Sequence, residues 1–172
     1  MPLTYLEFGV FQGWSIKTIA EKFRHPEARF FGFDCFEGLP ERWDPNNDIG
    51  QFSTNGAPPI LSDSRIKFIK GWFQDTVPEF LRSHILNGPV LVHYDADLYS
   101  STLFLLTSLS NYLNGYYFIF DEFFPDEVNA LREFALSYPI EIGFEAAILQ
   151  EAARPVQLFG CMRRVPFTLH DP

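Results

Sequence analysis

Two apolar segments of this chain end in carboxylates, and the chemistry it can do is concentrated there. Val92-His93-Tyr94-Asp95-Ala96-Asp97-Leu98-Tyr99 places Asp95 at the end of one strand-like run, and Phe120-Asp121-Glu122-Phe123 places two more acids at the end of the next. Neighbouring strands lie about 4.8 Å apart, so Asp95, Asp121 and Glu122 can converge. Packed carboxylates repel one another unless a cation sits among them. A hard divalent ion such as Mg²⁺, held by oxygens with water or substrate completing an octahedron, resolves that repulsion. The competing reading is a set of unrelated helix caps; Asp97 fits it and is left out of the expected metal set. His93 precedes Asp95 by two positions on a buried strand and reads as structural. His25 and His84 fall in helix or loop contexts, His170 lies in the tail, and no general base is evident.

A second group of residues lies earlier in the chain. Glu7-Phe8-Gly9-Val10-Phe11-Gln12-Gly13 is followed by Trp14-Ser15. Here Gly9 and Gly13 let backbone approach a ligand above a helix N-terminus, although two glycines after a strand also serve plain close packing. Asp34 ends the next apolar run, 21 residues beyond Gly13. That is near the offset of about 20 residues at which an acid accepts hydrogen bonds from a ribose diol; the alternative is a turn aspartate before Phe36-Glu37-Gly38. Glu7 helps to choose the ligand. A carboxylate at this turn repels a pyrophosphate, whereas S-adenosylmethionine brings a sulfonium and an ammonium, so the charge favours that cofactor over NAD. Glu7 paired with a basic residue on the sheet surface is the other possibility.

These residues need a scaffold that brings strand ends together, and the periodicity supplies one. Strand-like Leu3 to Phe8 precedes Ile16, Ile19, Ala20 and Phe23 at helical spacing, with Ser15 placed to cap that helix. Phe30 to Phe33 and Ile66 to Ile69 read as the second and third strands, and Asp75-Thr76 with Pro78 opens a helix carrying Val77, Phe80 and Leu81. Val90 to Tyr94 is the fourth strand. Ser100 and Ser101 precede a helix with Leu105, Leu106, Leu109 and Leu113 on one side, and Tyr116 to Phe120 is the fifth strand. Pro125-Asp126 starts a helix facing inward with Val128, Leu131 and Ala135, and Ile140 to Ile148 and Val156 to Arg163 close the sheet as a hairpin. Successive strand–helix units imply a doubly covered, mostly parallel α/β sheet of the Rossmann-like kind, with ligands beyond the carboxyl ends of the strands. The chain is expected to form a single domain over residues 1–172. The stretch from Pro40 to Ser64, rich in Pro, Gly and Asn, hangs over that site as a lid.

Composition narrows the partners. The 172 residues carry 13 Lys and Arg against 22 Asp and Glu, a formal charge of −9. No basic patch is present to release counterions from a polyanion, so no nucleic acid and no membrane is expected, and a small-molecule ligand is. Twenty Phe residues exclude a disordered chain. Trp14, Trp43 and Trp72 could stack on adenine or an aglycone, although in a chain so rich in Phe aromatic residues more often build the core. Two cysteines, Cys35 and Cys161, make no disulfide framework, and no basic, apolar leader or long apolar span occurs. A cytoplasmic protein is expected.

Taken in order, these motifs resemble a known family. Leu6-Glu7-Phe8-Gly9-Val10 with Gly13 and Ser15, then Phe31-Gly32-Phe33-Asp34-Cys35-Phe36-Glu37-Gly38-Leu39-Pro40, are similar to the macrocin-type O-methyltransferases. Those are class I S-adenosylmethionine-dependent enzymes that modify sugars of natural products. Lys70-Gly71-Trp72-Phe73-Gln74-Asp75-Thr76-Val77-Pro78, the segment from His93 to Tyr99 with Ser101-Thr102, and Asp121-Glu122-Phe123 continue the likeness over roughly residues 3 to 135. The resemblance implies a seven-stranded sheet with an antiparallel strand near its C-terminal end. It implies cofactor contacts at Glu7, Gly9, Gly13, Ser15 and Asp34, with Asp75 near the adenine, and Mg²⁺ on Asp95, Asp121 and Glu122. Asp95 is then the expected catalytic residue, beside a metal that acidifies one of two neighbouring hydroxyls of a small acceptor such as a sugar. Glu122 stands where the family usually has Asp, and the first strand begins without the N-terminal extension that relatives place over the site. A homodimer is the assembly left open. The rival readings are a non-catalytic S-adenosylmethionine or nucleoside binder of the same fold and a dinucleotide-dependent oxidoreductase.

Overall fold

The computed structural model describes residues 1–86, 88–150 and 155–166; His170 lies outside the described residues. Eleven elements follow one another: β1 (Thr4–Phe8), α1 (Trp14–Lys22), β2 (Arg29–Asp34), β3 (Ile66–Lys70), α2 (Phe73–Ser83), β4 (Val90–Tyr94), α3 (Tyr99–Ser110), β5 (Gly115–Phe120), α4 (Pro125–Ser137), β6 (Ile140–Leu149) and β7 (Pro155–Arg164). They build one seven-stranded sheet in the order β3-β2-β1-β4-β5-β7-β6. The first five strands are parallel, and β7 runs antiparallel between β5 and β6. Strand order therefore reverses between β1 and β4, which puts the crevice for a ligand above Phe8 and Tyr94.

Alternation along the strands sorts side chains to two unequal faces. Leu6 and Phe8, Phe31 and Phe33, Val92 and Tyr94, and Phe118 and Phe120 face α2, α3 and α4 in the larger core. Phe8 stacks on Phe33 at 4.8 Å and Tyr94 on Phe120 at 4.7 Å between ring centres. Each fully buried ring contributes about 1.5–3 kcal/mol relative to exposure. The opposite face carries Tyr5, Phe30 and Leu91 against Ile16 and Ala20 of α1. Helices thus cover both faces, three on one and one on the other.

The helix starts depart from the expected chemistry. Ser15 lies inside α1; the cap position is Gly13, in the left-handed region at φ 76°, with no side-chain cap. α2 opens at Phe73, two residues ahead of Asp75, so Pro78 falls inside it, and Ser100 and Ser101 are already within α3. In α4 the buried face is Glu127, Ala130, Leu131 and Phe134, while Val128 is exposed.

The stretch between β2 and β3 is pinned at several points. Gly50 N–H donates to Leu39 O at 2.9 Å, Gly56 N–H to Phe36 O at 2.7 Å, and Lys70 Nζ to Gly56 O at 2.6 Å. At its far end Arg65 pairs with Asp63 and donates to the carbonyls of Ala20 and Phe23, closing the end of α1.

Candidate functional site

The ladder bonds run one residue past each central strand, which fixes what stands at the crevice. Gly9 N–H donates to Phe33 O at 3.0 Å, Asp95 N–H to Phe8 O at 2.9 Å, and Asp121 N–H to Tyr94 O at 3.0 Å. Gly9, at φ 92°, packs so tightly that a Cβ on it would fall on the Asp95 carbonyl oxygen. Only glycine fits there.

A cavity of about 390 Å³ opens at this point. Its floor is Gly9, Val10 and Phe11 beside Asp34 and Cys35; one wall is Trp72, Phe73 and Gln74 at the start of α2. Asp95, Ala96, Asp97 and Glu122 form the other wall, and Leu39, Pro40, Trp43, Gln51 and Phe52 from the β2–β3 stretch lie across the top. Ser100 Oγ, beside the acidic wall, donates to Glu41 Oε1 at 2.6 Å and ties that stretch to α3.

Asp34 is both the strand-end acid and the turn aspartate. Its Oδ2 accepts from Val10 N–H at 2.8 Å and Phe11 N–H at 2.9 Å, and its Oδ1 from Phe36 N–H at 2.7 Å. The carboxylate therefore stitches the turn after β1 to the turn after β2, and Asp34 lines the cavity. Gly13 stands away from the lining, where a Cβ would meet Pro59 Cγ at 3.0 Å, and Ser15 is also outside it. Asp75 is exposed on α2, and its neighbour Gln74 takes the lining position.

Glu7 lies one layer below the cavity, fully buried, and among the described residues it is not paired with any Lys or Arg. Tyr5 Oη donates to its Oε2 at 2.6 Å, and His93 Nδ1 lies 2.7 Å from the same hydroxyl. Glu7 Oε1 has no hydrogen-bond partner among the described residues. Tyr5 escaped the sequence reading, yet its spacing of two from Glu7 on one strand puts both on one face and was the available signal.

Charge dominates the acidic wall. Burial, and then the negative Asp121, Asp97 and Glu7, push Asp95 well above the usual carboxylate range, against the pull of His93. Burial with Glu122 and Asp121 raises Asp97 to about 7. Asp97 is thus a member of the acidic wall and not a helix cap: the cap position of α3 is Leu98, and Asp97 itself sits at φ 61°. The Asp-Ala-Asp spacing, which turns two acids into one loop, was its signal. Burial and Asp121 raise Glu122, whose buried Oε2 has no hydrogen-bond partner among the described residues. Asp121 is held below its ordinary value by His93. Burial opposes protonation of His93, but the carboxylates of Asp121 and Glu7 outweigh it and push the ring to about 10. Glu127, at the first turn of α4, is buried with neither carboxyl oxygen hydrogen-bonded among the described residues, and burial beside Asp95 and Asp97 lifts it well above the usual range. Nothing in the sequence marked it, since an acid at that helix position ordinarily faces solvent.

Among the described residues, no three His, Cys, Asp or Glu side chains stand gathered as a metal site, and no helix is long and apolar enough to cross a membrane.

Comparison with known proteins adds to this geometry. A family model, macrocin O-methyltransferase (TylF), matches residues 1–146. CalS11, a calicheamicin methyltransferase, superposes with a TM-score of 0.68 at 23% identity, covering 93% of this chain and 72% of that one. CmcI bound to Mg and S-adenosylmethionine gives 0.60 at 18% identity, over 96% and 66% of the two chains. An O-methyltransferase from Bacillus cereus in complex with S-adenosylhomocysteine gives 0.56 at 14%, over 94% and 74%. This chain spans about two thirds to three quarters of those structures, and at such identities they show the shared fold alone. No curated protein matches significantly. The family match extends through every strand end that lines the cavity, and the chain belongs to the macrocin O-methyltransferase (TylF) family of S-adenosylmethionine-dependent O-methyltransferases.

Proposed function

We propose that this chain methylates a hydroxyl of a small molecule, such as a sugar or a glycosylated natural product, with S-adenosylmethionine as donor and Mg²⁺ held by Asp95, Asp121 and Glu122. The observation that carries this reading is that Gly9 and Asp95 meet in van der Waals contact on the lining of a single cavity. Donor turn and acidic wall are thereby neighbours.

The donor set suits Mg²⁺ in kind and charge, with Asp95 and Glu122 on the cavity lining and Asp121 outside it, so that the three acids must draw together to share an ion. The set consists of oxygens alone, Glu122 Oε2 is buried without a hydrogen-bond partner among the described residues, and Asp95 is strained by the negative charge around it. A hard cation relieves both. When bound, the two groups supply an electrophilic methyl and a more acidic acceptor hydroxyl.

The chain's own residues would do the rest. The backbone at Gly9, Val10 and Phe11 admits the donor closely, Asp34 offers its free lone pairs to a ribose diol, and Gly13 and Ser15 set the helix N-terminus behind the turn. Glu7 supplies a buried negative charge that favours a cationic donor over a pyrophosphate. Asp75 is the weaker adenine contact, at the edge of the α2 wall. Asp95 is the catalytic residue, holding the acceptor oxygen against the donor. Holding two reacting atoms at about 3–3.5 Å can be worth on the order of 7–11 kcal/mol, so positioning carries much of the rate. The stretch over residues 40–64 acts as a lid, supported by Trp43, Gln51 and Phe52 lying across the cavity. A single domain, cytoplasmic residence and a homodimer complete the reading, supported by two free cysteines and by the exposed Phe144, Ile148 and Leu149 of β6.

Thermal shift with S-adenosylhomocysteine, alone and with Mg²⁺, tests this. Stabilisation that needs both is expected; stabilisation by the nucleoside that Mg²⁺ and a hydroxyl acceptor leave unchanged would instead identify a non-catalytic binder.

A further inference from the structure

Below the cavity, on the face covered by α1, a polar chain crosses four strands through otherwise apolar surroundings. It runs from Glu7 and Tyr5 on β1 to His93 on β4, to Asp121 at the end of β5, and to Gln157 on β7. Tyr5 and Glu7 are fully buried, and His93 is 4% exposed. The strand register sets the chain up: Glu7 lies opposite His93, and His93 opposite Ile119, two residues before Asp121 on the same side of the sheet.

Chemistry fixes the direction of each contact. The Glu7 carboxylate only accepts, so the Tyr5 hydroxyl donates to it at 2.6 Å and receives His93 Nδ1–H at 2.7 Å. That sets the imidazole plane. Its Nε2, buried and without a hydrogen-bond partner among the described residues, stands at ion-pair distance, 3.5 Å, from Asp121 Oδ1, while Gln157 Nε2 donates to the same oxygen at 2.6 Å. Asp121 Oδ1 is therefore approached from two sides, and among the described residues Oδ2 makes no hydrogen bond.

We propose that His93 is a positioning residue. Oriented by Tyr5 and Glu7, it holds the Asp121 carboxylate through Oδ1 and leaves Oδ2 open to a metal. The carboxylate on β5 is thereby registered to the strand that carries the donor turn, because Glu7 stands two residues before Gly9. This rests on the methyl-transfer reading above, in which Asp121 is a metal ligand.

The test uses Mn²⁺ as an EPR-visible probe of the full chain, with S-adenosylhomocysteine binding measured beside it. His93→Leu removes the contact, and is expected to weaken Mn²⁺ about tenfold, the low end for loss of an outer-shell partner, while S-adenosylhomocysteine affinity holds. His93→Gln, whose amide nitrogen reaches the place of Nε2, is expected to restore most of that loss; a merely structural histidine would give no such rescue. Tyr5→Phe, which keeps the ring volume and removes the orienting hydroxyl, is expected to lower Mn²⁺ affinity several-fold, and serves if His93→Leu does not fold. Wild-type Mn²⁺ affinity in Tyr5→Phe and in folded His93→Leu would overturn the proposal. Mn²⁺ that fails to bind the wild type would overturn the metal reading, and the contact is then judged by the ring ¹⁵N spectrum of His93. Asp121→Asn should move its Nε2 resonance, and an unmoved resonance overturns the positioning role.

Discussion

Gly9 and Asp95 touch through backbone alone: the alpha carbon of one lies against the carbonyl oxygen of the other, with no room for a methyl group between them. Gly9→Ala must therefore push β1 and β4 apart at the crevice and also adopt φ 92° with a side chain. The dihedral alone costs on the order of 1–3 kcal/mol. A lowered melting temperature and loss of S-adenosylhomocysteine binding are expected in thermal shift; an unchanged melt would show that the strands slide easily.

Asp34 joins two turns through three backbone N–H groups. Asp34→Ala leaves those donors unsatisfied, each worth about 1–3 kcal/mol if buried, and frees the floor of the cavity. Calorimetry should find S-adenosylhomocysteine binding weakened more than tenfold. Binding within twofold of wild type would remove Asp34 from the cofactor site.

Asp95→Asn separates stability from function. It replaces a buried carboxyl whose ionisation is opposed by burial and by the like charges around it, so the melting temperature at neutral pH is expected to rise by a few degrees, while Mg²⁺-dependent methylation is abolished. EDTA on the wild type should reproduce the loss of activity. Full turnover in the variant or in chelator would show that the acidic wall holds no metal.

The metal-free chain should lose stability as the solution is made alkaline. Asp97 titrates at about 7 in the folded state against an ordinary 3.8, and His93 at about 10 against 6.5. Over each interval the folded chain keeps a proton that the unfolded chain has lost, so stability is full below the unfolded value and drains toward the folded one. Asp121, which is depressed, adds the opposite slope only in acid. Urea midpoints between pH 5 and 9 without divalent ions are expected to fall steadily, and added Mg²⁺ to flatten the decline. A midpoint that climbs over that range contradicts the assigned shifts.

The parallel half of the sheet was legible because its strands are short apolar runs ended by acids or glycines, and both the strand-end acids and the antiparallel end were anticipated. Helix starts were less so. Serines and an aspartate near each N-terminus looked like caps, but the caps here are Gly13, Trp72, Leu98 and Phe124, none with a side-chain bond. The inward face of α4 was misread by one position because a glutamate, Glu127, occupies it. Within the site, Asp34, Asp95 and Glu122 could be placed from strand ends alone. The layer beneath could not, since Tyr5 and His93 look like ordinary core residues until the register brings them to Glu7.

The insertion of β7 between β5 and β6 makes the tail of the chain part of the mechanism's framework. The family likeness ends at residue 146, yet Gln157 steadies Asp121 from beyond that boundary. A version stopped there would retain every shared motif while leaving the Gly115–Phe120 backbone with a bare flank, open to self-association and with its acid adrift.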